Sequence, residues 1–70
     1  MGSNKDQNLR KEIGLKLKVA REKLGLTQAQ VAEKAKLNVN YYAQIERGEV
    51  NTTFEKLESI MKALGIKSLI

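Results

Sequence analysis

Apolar residues recur at helical spacing along most of the chain. Leu9, Ile13, Leu17, Ala20 and Leu24 lie three and four apart, which gathers them on one helical face and turns Lys16, Lys18 and Lys23 elsewhere. This predicts a first helix from Leu9 that closes at Gly25, a glycine just past the last periodic residue. Thr27-Gln28-Ala29-Gln30 has the form of a capping box, in which a threonine hydroxyl and a glutamine amide satisfy free N–H groups at a helix start. A second helix therefore begins there and runs to about Ala35, with Val31, Ala32 and Ala35 inward. Asn38 offers a new N-cap three residues later, and a third helix over Val39 to Arg47 sends Tyr42 and Ile45 to the core before Gly48. Thr52-Thr53-Phe54-Glu55 reads as another capping box, and Phe54, Leu57, Ile60, Met61 and Leu64 trace the inner face of a fourth helix closed by Gly65. No segment alternates with period two, and residues 66–70 leave room for one more helical turn. The pattern is that of an all-α, compact four- to five-helix bundle. Residues 1–8 are polar and aperiodic and read as a disordered or cloning-derived lead, with a single domain over 9–70.

Composition narrows the chemistry. Seventy residues make one small domain, and the 41% apolar and 30% charged content is that of a globular chain. Cysteine and histidine are both absent. No metal site of the zinc type, no disulfide and no Cys/His or Ser/His/Asp catalytic group is therefore expected. Eight scattered carboxylates on a helical bundle do not make an enzyme's cleft of tuned acid and base groups, so no enzymatic activity and no cofactor are expected. No run is long and apolar enough to cross a bilayer, so no membrane partner is expected and the cytoplasm is the default compartment. The net charge of +5 is uneven: residues 1–36 hold nine Lys/Arg and four acids, and residues 37–70 hold four of each. A basic half-surface attracts phosphate backbones or anionic lipid, and on a small protein a modest excess can equally serve solubility alone.

Two short helices joined by a tight turn inside a small basic bundle match the helix-turn-helix unit, whose second helix enters the DNA major groove. The run LGLTQAQVAEKAKLNVNYYAQIERGEVNTTFEKLESIMKALGI resembles the lambda-repressor-like family, also called Cro/repressor or XRE. The resemblance covers nearly all of Ile13 to Ile66. It is carried by Leu26-Thr27-Gln28, Ala32-Glu33-Lys34-Ala35, Ile45-Glu46-Arg47-Gly48 and Ala63-Leu64-Gly65. It implies a lambda-repressor-like DNA-binding domain in which Gln28, opening the second helix, bonds a phosphate, and Arg21 and Glu46 form a structural ion pair between the first and third helices. The chain departs from the pattern at Lys36, which stands where a turn glycine is usual, and at Tyr42, which stands where an aliphatic residue is usual.

On the third helix, residues near the N-terminus that point away from the core are the ones positioned to read bases, and the helical period selects Val39, Asn40, Ala43 and Gln44. Asn and Gln bond adenine edges bidentately, whereas Val and Ala offer apolar contact to a thymine methyl, so the expected half-site leans to A·T. Tyr41, Arg47 and Lys36 join Gln28 as candidate phosphate contacts. Tyr41 has the alternative of covering the core edge, and Arg47 that of stabilising a helix C-terminus. The expected partners are double-stranded DNA and a second copy of the chain, since Leu64, Ile66, Leu69 and Ile70 leave an apolar end that suits an interface. The function so implied is transcriptional regulation by a homodimer on a palindromic operator. The competing reading is a protein-interaction module of the same fold with little DNA specificity, in keeping with the scarcity of arginine on the third helix.

Overall fold

The computed structural model describes residues 3–67, with side chains from residue 7 onward. Four helices follow in order: α1 (Ser3–Lys23), α2 (Gln28–Ala35), α3 (Val39–Glu46) and α4 (Phe54–Leu64). No strand occurs among the described residues. α2 packs chiefly on α4 and α3, while α1 lies across α3 and touches α4. Leu17, Val31, Ala32, Ala35, Tyr42, Ile45, Ile60 and Leu64 form the buried core, drawn from all four helices. The room left for a further turn after Gly65 is not helical at residues 66–67, and residues 68–70 lie outside the described residues.

α1 begins at Ser3, six residues before the first apolar residue of its pattern. The expectation of an unstructured lead over residues 1–8 is thus corrected for 3–8. Apolar periodicity reports only the buried part of a helix, whereas propagation adds one hydrogen bond per residue once the packed segment has nucleated. The same overhang explains Leu9 and Leu24, assigned to the inner face yet 55% and 53% exposed. A helix of this length spans ~30 Å, longer than the core it covers, so only its middle is buried.

In that middle sits Gly14, a helix-interior glycine with a packing reason. A Cβ there would collide with the carbonyl oxygens of Ile45 and Glu46 at the end of α3. Gly48 repeats the constraint from the other side: with φ 73° it turns the chain after α3, and a Cβ on it would come within 2.8 Å of the Lys11 backbone nitrogen and Cα. Together these two glycines let α1 lie directly against the last turn of α3.

The turn chemistry follows the sequence closely. Thr27 caps α2, its hydroxyl accepting from the Gln30 N–H while the Gln30 amide oxygen accepts from the Thr27 N–H. Asn38 caps α3, its side-chain oxygen accepting from the N–H groups of Asn40 and Tyr41. At α4 the cap is shifted by one residue: Thr53, not Thr52, accepts from the Lys56 N–H, so Glu55 falls in the first turn and the expected box with Thr52 does not form. Phe54 then stands at the first position of α4, 76% exposed instead of buried. It lies beyond the core end of the stripe that Leu57, Ile60 and Leu64 carry inward.

Lys36 closes α2 in the left-handed conformation, with φ 60° and ψ 43°, and its N–H returns to the carbonyls of Ala32 and Glu33. A side chain there costs about 1 kcal/mol that glycine would not. Lys36→Gly is therefore expected to raise the melting temperature by roughly 4–8 °C, the shift that about 1 kcal/mol gives in a domain of this size. Differential scanning calorimetry checks it, and an unchanged or lower melting temperature would refute the strained turn.

Candidate nucleic-acid interface

The site is organised around one buried acid. Glu46 closes α3 with its side chain 2% exposed. The Arg21 guanidinium grips it through two bonds, Nε to Oε2 at 2.7 Å and Nη2 to Oε1 at 3.2 Å, the planar fork that suits a carboxylate. A third donor from Arg21, Nη1, bonds the Leu26 carbonyl at 2.9 Å and so ties α1 to the loop before α2. The Gln28 amide nitrogen completes the group, donating to Glu46 Oε1 at 2.9 Å. One carboxylate thus joins α1, the start of α2 and the end of α3.

Burial opposes ionisation of Glu46, but the Arg21 guanidinium, with the Tyr42 hydroxyl and Gln28 amide that face the carboxylate, outweighs it and holds the pKa below the ordinary value. The buried Tyr42 hydroxyl makes no hydrogen bond of good geometry. Burial first, and the neighbouring Glu46 carboxylate second, raise its pKa well above that of a free phenol. The wide ring of Tyr42 is accommodated fully inside the core, 0% exposed.

With α3 anchored this way, its surface divides sharply. Tyr42, Ala43, Ile45 and Glu46 are buried. The expectation that Ala43 points outward is corrected: it is 9% exposed, because a helix this short, packed on both α1 and α2, has little free arc. Asn40 is exposed, Gln44 is half-buried and Arg47 is exposed, and the spacing of four and three sets them in one stripe. Val39, 40% exposed, flanks its start.

The candidate phosphate residues separate into groups. Gln28 and Arg47 lie together on a cleft between α1 and the α2–α3 pair. Arg47 is bonded to Glu49, Nε to Oε2 at 2.8 Å, in a pair about half exposed on both sides. Such surface pairs are worth little and exchange readily. Tyr41 is packed partly against the core. Lys56 sits over its ring, 4.8 Å from the centroid, and its hydroxyl donates to the Asn51 carbonyl at 3.4 Å, an arrangement that fits the core-edge alternative. Lys36 is on a different concavity, between α2 and α4, with Lys34 and Lys62. The sequence reading missed the Gln28–Glu46 bond and the role of Gly14; a glycine in mid-helix was the available signal for the second.

The helix-turn-helix family matches residues 17–69 of the chain. This chain belongs to that family, in its lambda-repressor-like, XRE-type branch. It is 44% identical over 55 residues to an immunity repressor protein of Bacillus phage phi105. The match takes in 79% of this chain but 38% of that repressor, so the chain spans well under half the length of its curated relative. Among solved structures it resembles the restriction-modification controller protein C.AhdI from Aeromonas hydrophila, with a TM-score of 0.81 at 28% identity, covering 83% of this chain and 88% of that one. The clp gene regulator ClgR from C. glutamicum superposes with a TM-score of 0.80 at 32% identity, covering 84% and 77%. The restriction-modification controller protein C.Esp1396I, solved as a tetramer with its natural 35 base-pair operator, gives 0.79 at 36% identity, covering 84% and 78%.

Glu46 makes stability depend on pH with a definite sign. Its folded pKa is depressed, so its stabilisation is complete above the ordinary carboxylate value of 4.5 and is lost as pH falls through the lower folded value. Urea unfolding followed between pH 3 and pH 7 should show a plateau above pH 5 and a decline below 4.5. Glu46→Gln should lower the plateau by about 3–5 kcal/mol, since it leaves the Arg21 charge partly buried without its partner, and should flatten the acid limb. An acid limb as steep in Glu46→Gln as in the parent would show that Glu46 does not govern it.

Proposed function

We propose that the chain is the DNA-binding domain of a transcriptional regulator, with α3 in the major groove of a short A·T-leaning half-site. The observation that carries this reading is the polar stripe Asn40, Gln44 and Arg47, exposed or half-exposed on a helix whose other side is fixed to α1 by a buried ion pair. Asn40 and Gln44 offer amides to adenine edges, and Val39 offers methyl groups to thymine. Gln28 and Arg47, together beside the same helix, take backbone phosphates and set its register without reading sequence. Tyr41 and Lys36 are weaker members of this set, because one is engaged in packing and the other opens between α2 and α4. The operator-bound relative C.Esp1396I supports the assignment. Such a regulator acts in the cytoplasm, where the chromosome is.

The regulator reads its operator as a homodimer, with half-sites about one helical turn, ~34 Å, apart. The surface available for pairing is on α4. Phe54, 76% exposed, heads an apolar groove with Leu57, Met61 and Ile66. Leu64, named for the interface from sequence, is 4% exposed and serves the core instead. Leu69 and Ile70 lie outside the described residues. Phe54→Asp is expected to convert a dimer to a monomer in sedimentation equilibrium while leaving the helical circular dichroism unchanged. A dimer that persists would move the interface elsewhere.

Selection from a randomised duplex pool, with Asn40→Ala/Gln44→Ala in parallel at fixed salt, tests the reading of bases. A two-fold symmetric motif that the double variant loses, while weak nonspecific binding persists, is the expected outcome. Binding of every duplex alike would overturn DNA reading and favour a protein-interaction role.

A further inference from the structure

Apart from Arg21 and Lys36, the cations of the N-terminal half have no part in the geometry described above, and the structure gathers two of them beside the proposed DNA-reading helix. Lys11, Leu15 and Lys18 follow one another at spacings of four and three, and this stripe of α1 forms one wall of the cleft whose other wall holds Gln28, Glu46 and Arg47. Lys11 is brought there by Gly48, the residue after Arg47: a Cβ on Gly48 would lie 2.7 Å from Lys11 Cγ. All three residues of the stripe are exposed, Leu15 at 59%. Glu46 adds no net charge, because its carboxylate is committed to Arg21 and Gln28. Lys11 and Lys18, with Arg47 in its exposed pair with Glu49, border a concave surface next to the residue that opens α2.

We propose that this wall of α1 is a second backbone contact, in which Lys11 and Lys18 hold DNA phosphates adjoining those taken by Gln28 and Arg47, and Leu15 packs on the intervening sugar. The inference rests on the DNA-binding reading above. Seven residues of helix separate the two lysine stems by ~10 Å along α1, and their long side chains let the two ammonium groups reach separate phosphates on either side of one sugar. Lys16 and Lys23 sit roughly 110–130° round the same helix from this stripe and do not line the cleft, which makes them a charge-matched control.

The test uses the full chain, the motif selected from the duplex pool, and affinity measured across a salt series for the parent, Lys11→Gln/Lys18→Gln and Lys16→Gln/Lys23→Gln. Each phosphate contact contributes about 0.9 to the slope of log affinity against log salt. The first variant should therefore lower the slope by about 1.8 per subunit and bind roughly 30-fold more weakly at 0.15 M salt, with the selected motif unchanged. The control variant should change the slope by less than about 0.5. Equal slope changes in the two variants, or none in the first, would overturn the contact while leaving sequence-specific binding intact. A parent chain that selects no motif would instead remove the DNA reading, and this inference with it.

Discussion

The carboxylate of Glu46 is the point on which the remaining geometry depends. Three elements end on it: the last turn of α1 through Arg21, the start of α2 through Gln28, and α3 through its own backbone. Burying a charge pair in a domain with so small a core is costly unless every donor is well aligned, and here the guanidinium meets the acid through two bonds and sends a third to Leu26. The close approach this requires is available only because position 14 has no side chain. Gly14 is thus part of the ion pair's design, although it makes no hydrogen bond to it.

The need for such an anchor follows from the lengths of α2 and α3. Helices of eight residues are far too short to persist alone in water, where isolated helices below ~12–15 residues are marginal. They are held by caps at their starts and by burial of almost everything but one edge. That same economy narrows the free arc of α3 to Val39, Asn40 and the half-buried Gln44, with Arg47 at its C-cap, so stability and the proposed reading compete for the positions of one short helix. Ala43 illustrates the outcome, since its small side chain is used for packing.

The surface around this edge divides into tasks of different physical kind. Groups that read bases must be fixed to well under an ångström, and the residues proposed for that task stand on the helix that the ion pair holds. Phosphate contacts act through charges on long stems and tolerate looser placement, which suits the residues proposed for them on the rim of the cleft and, in Arg47, a half-exposed surface pair. The apolar groove headed by Phe54 lies on α4, apart from both, so the proposed pairing of two copies would not draw on the proposed reading surface.

By itself the sequence determined every element whose cause is local. The capping box at Thr27 and the cap at Asn38 follow from side chains that bond their own backbone within a few residues, and the glycines after α1, α3 and α4 from the lack of a Cβ at a left-handed turn. The box expected at Thr52 does not form, and the left-handed Lys36 was reached through resemblance to a family. The Arg21–Glu46 pair was reached only through resemblance to a family, because nothing in spacing links two residues 25 positions apart. Tertiary structure alone decided the exposure of Leu9, Leu24 and Phe54, the burial of Ala43 and the pairing of Gln28 with Glu46. Periodicity assigns a face to each residue, but whether that face meets a neighbour depends on where the next helix stops. The cleft that unites Lys11 and Lys18 with Gln28 and Arg47 is of this second kind: it exists because two glycines far apart in the chain let α1 and α3 touch.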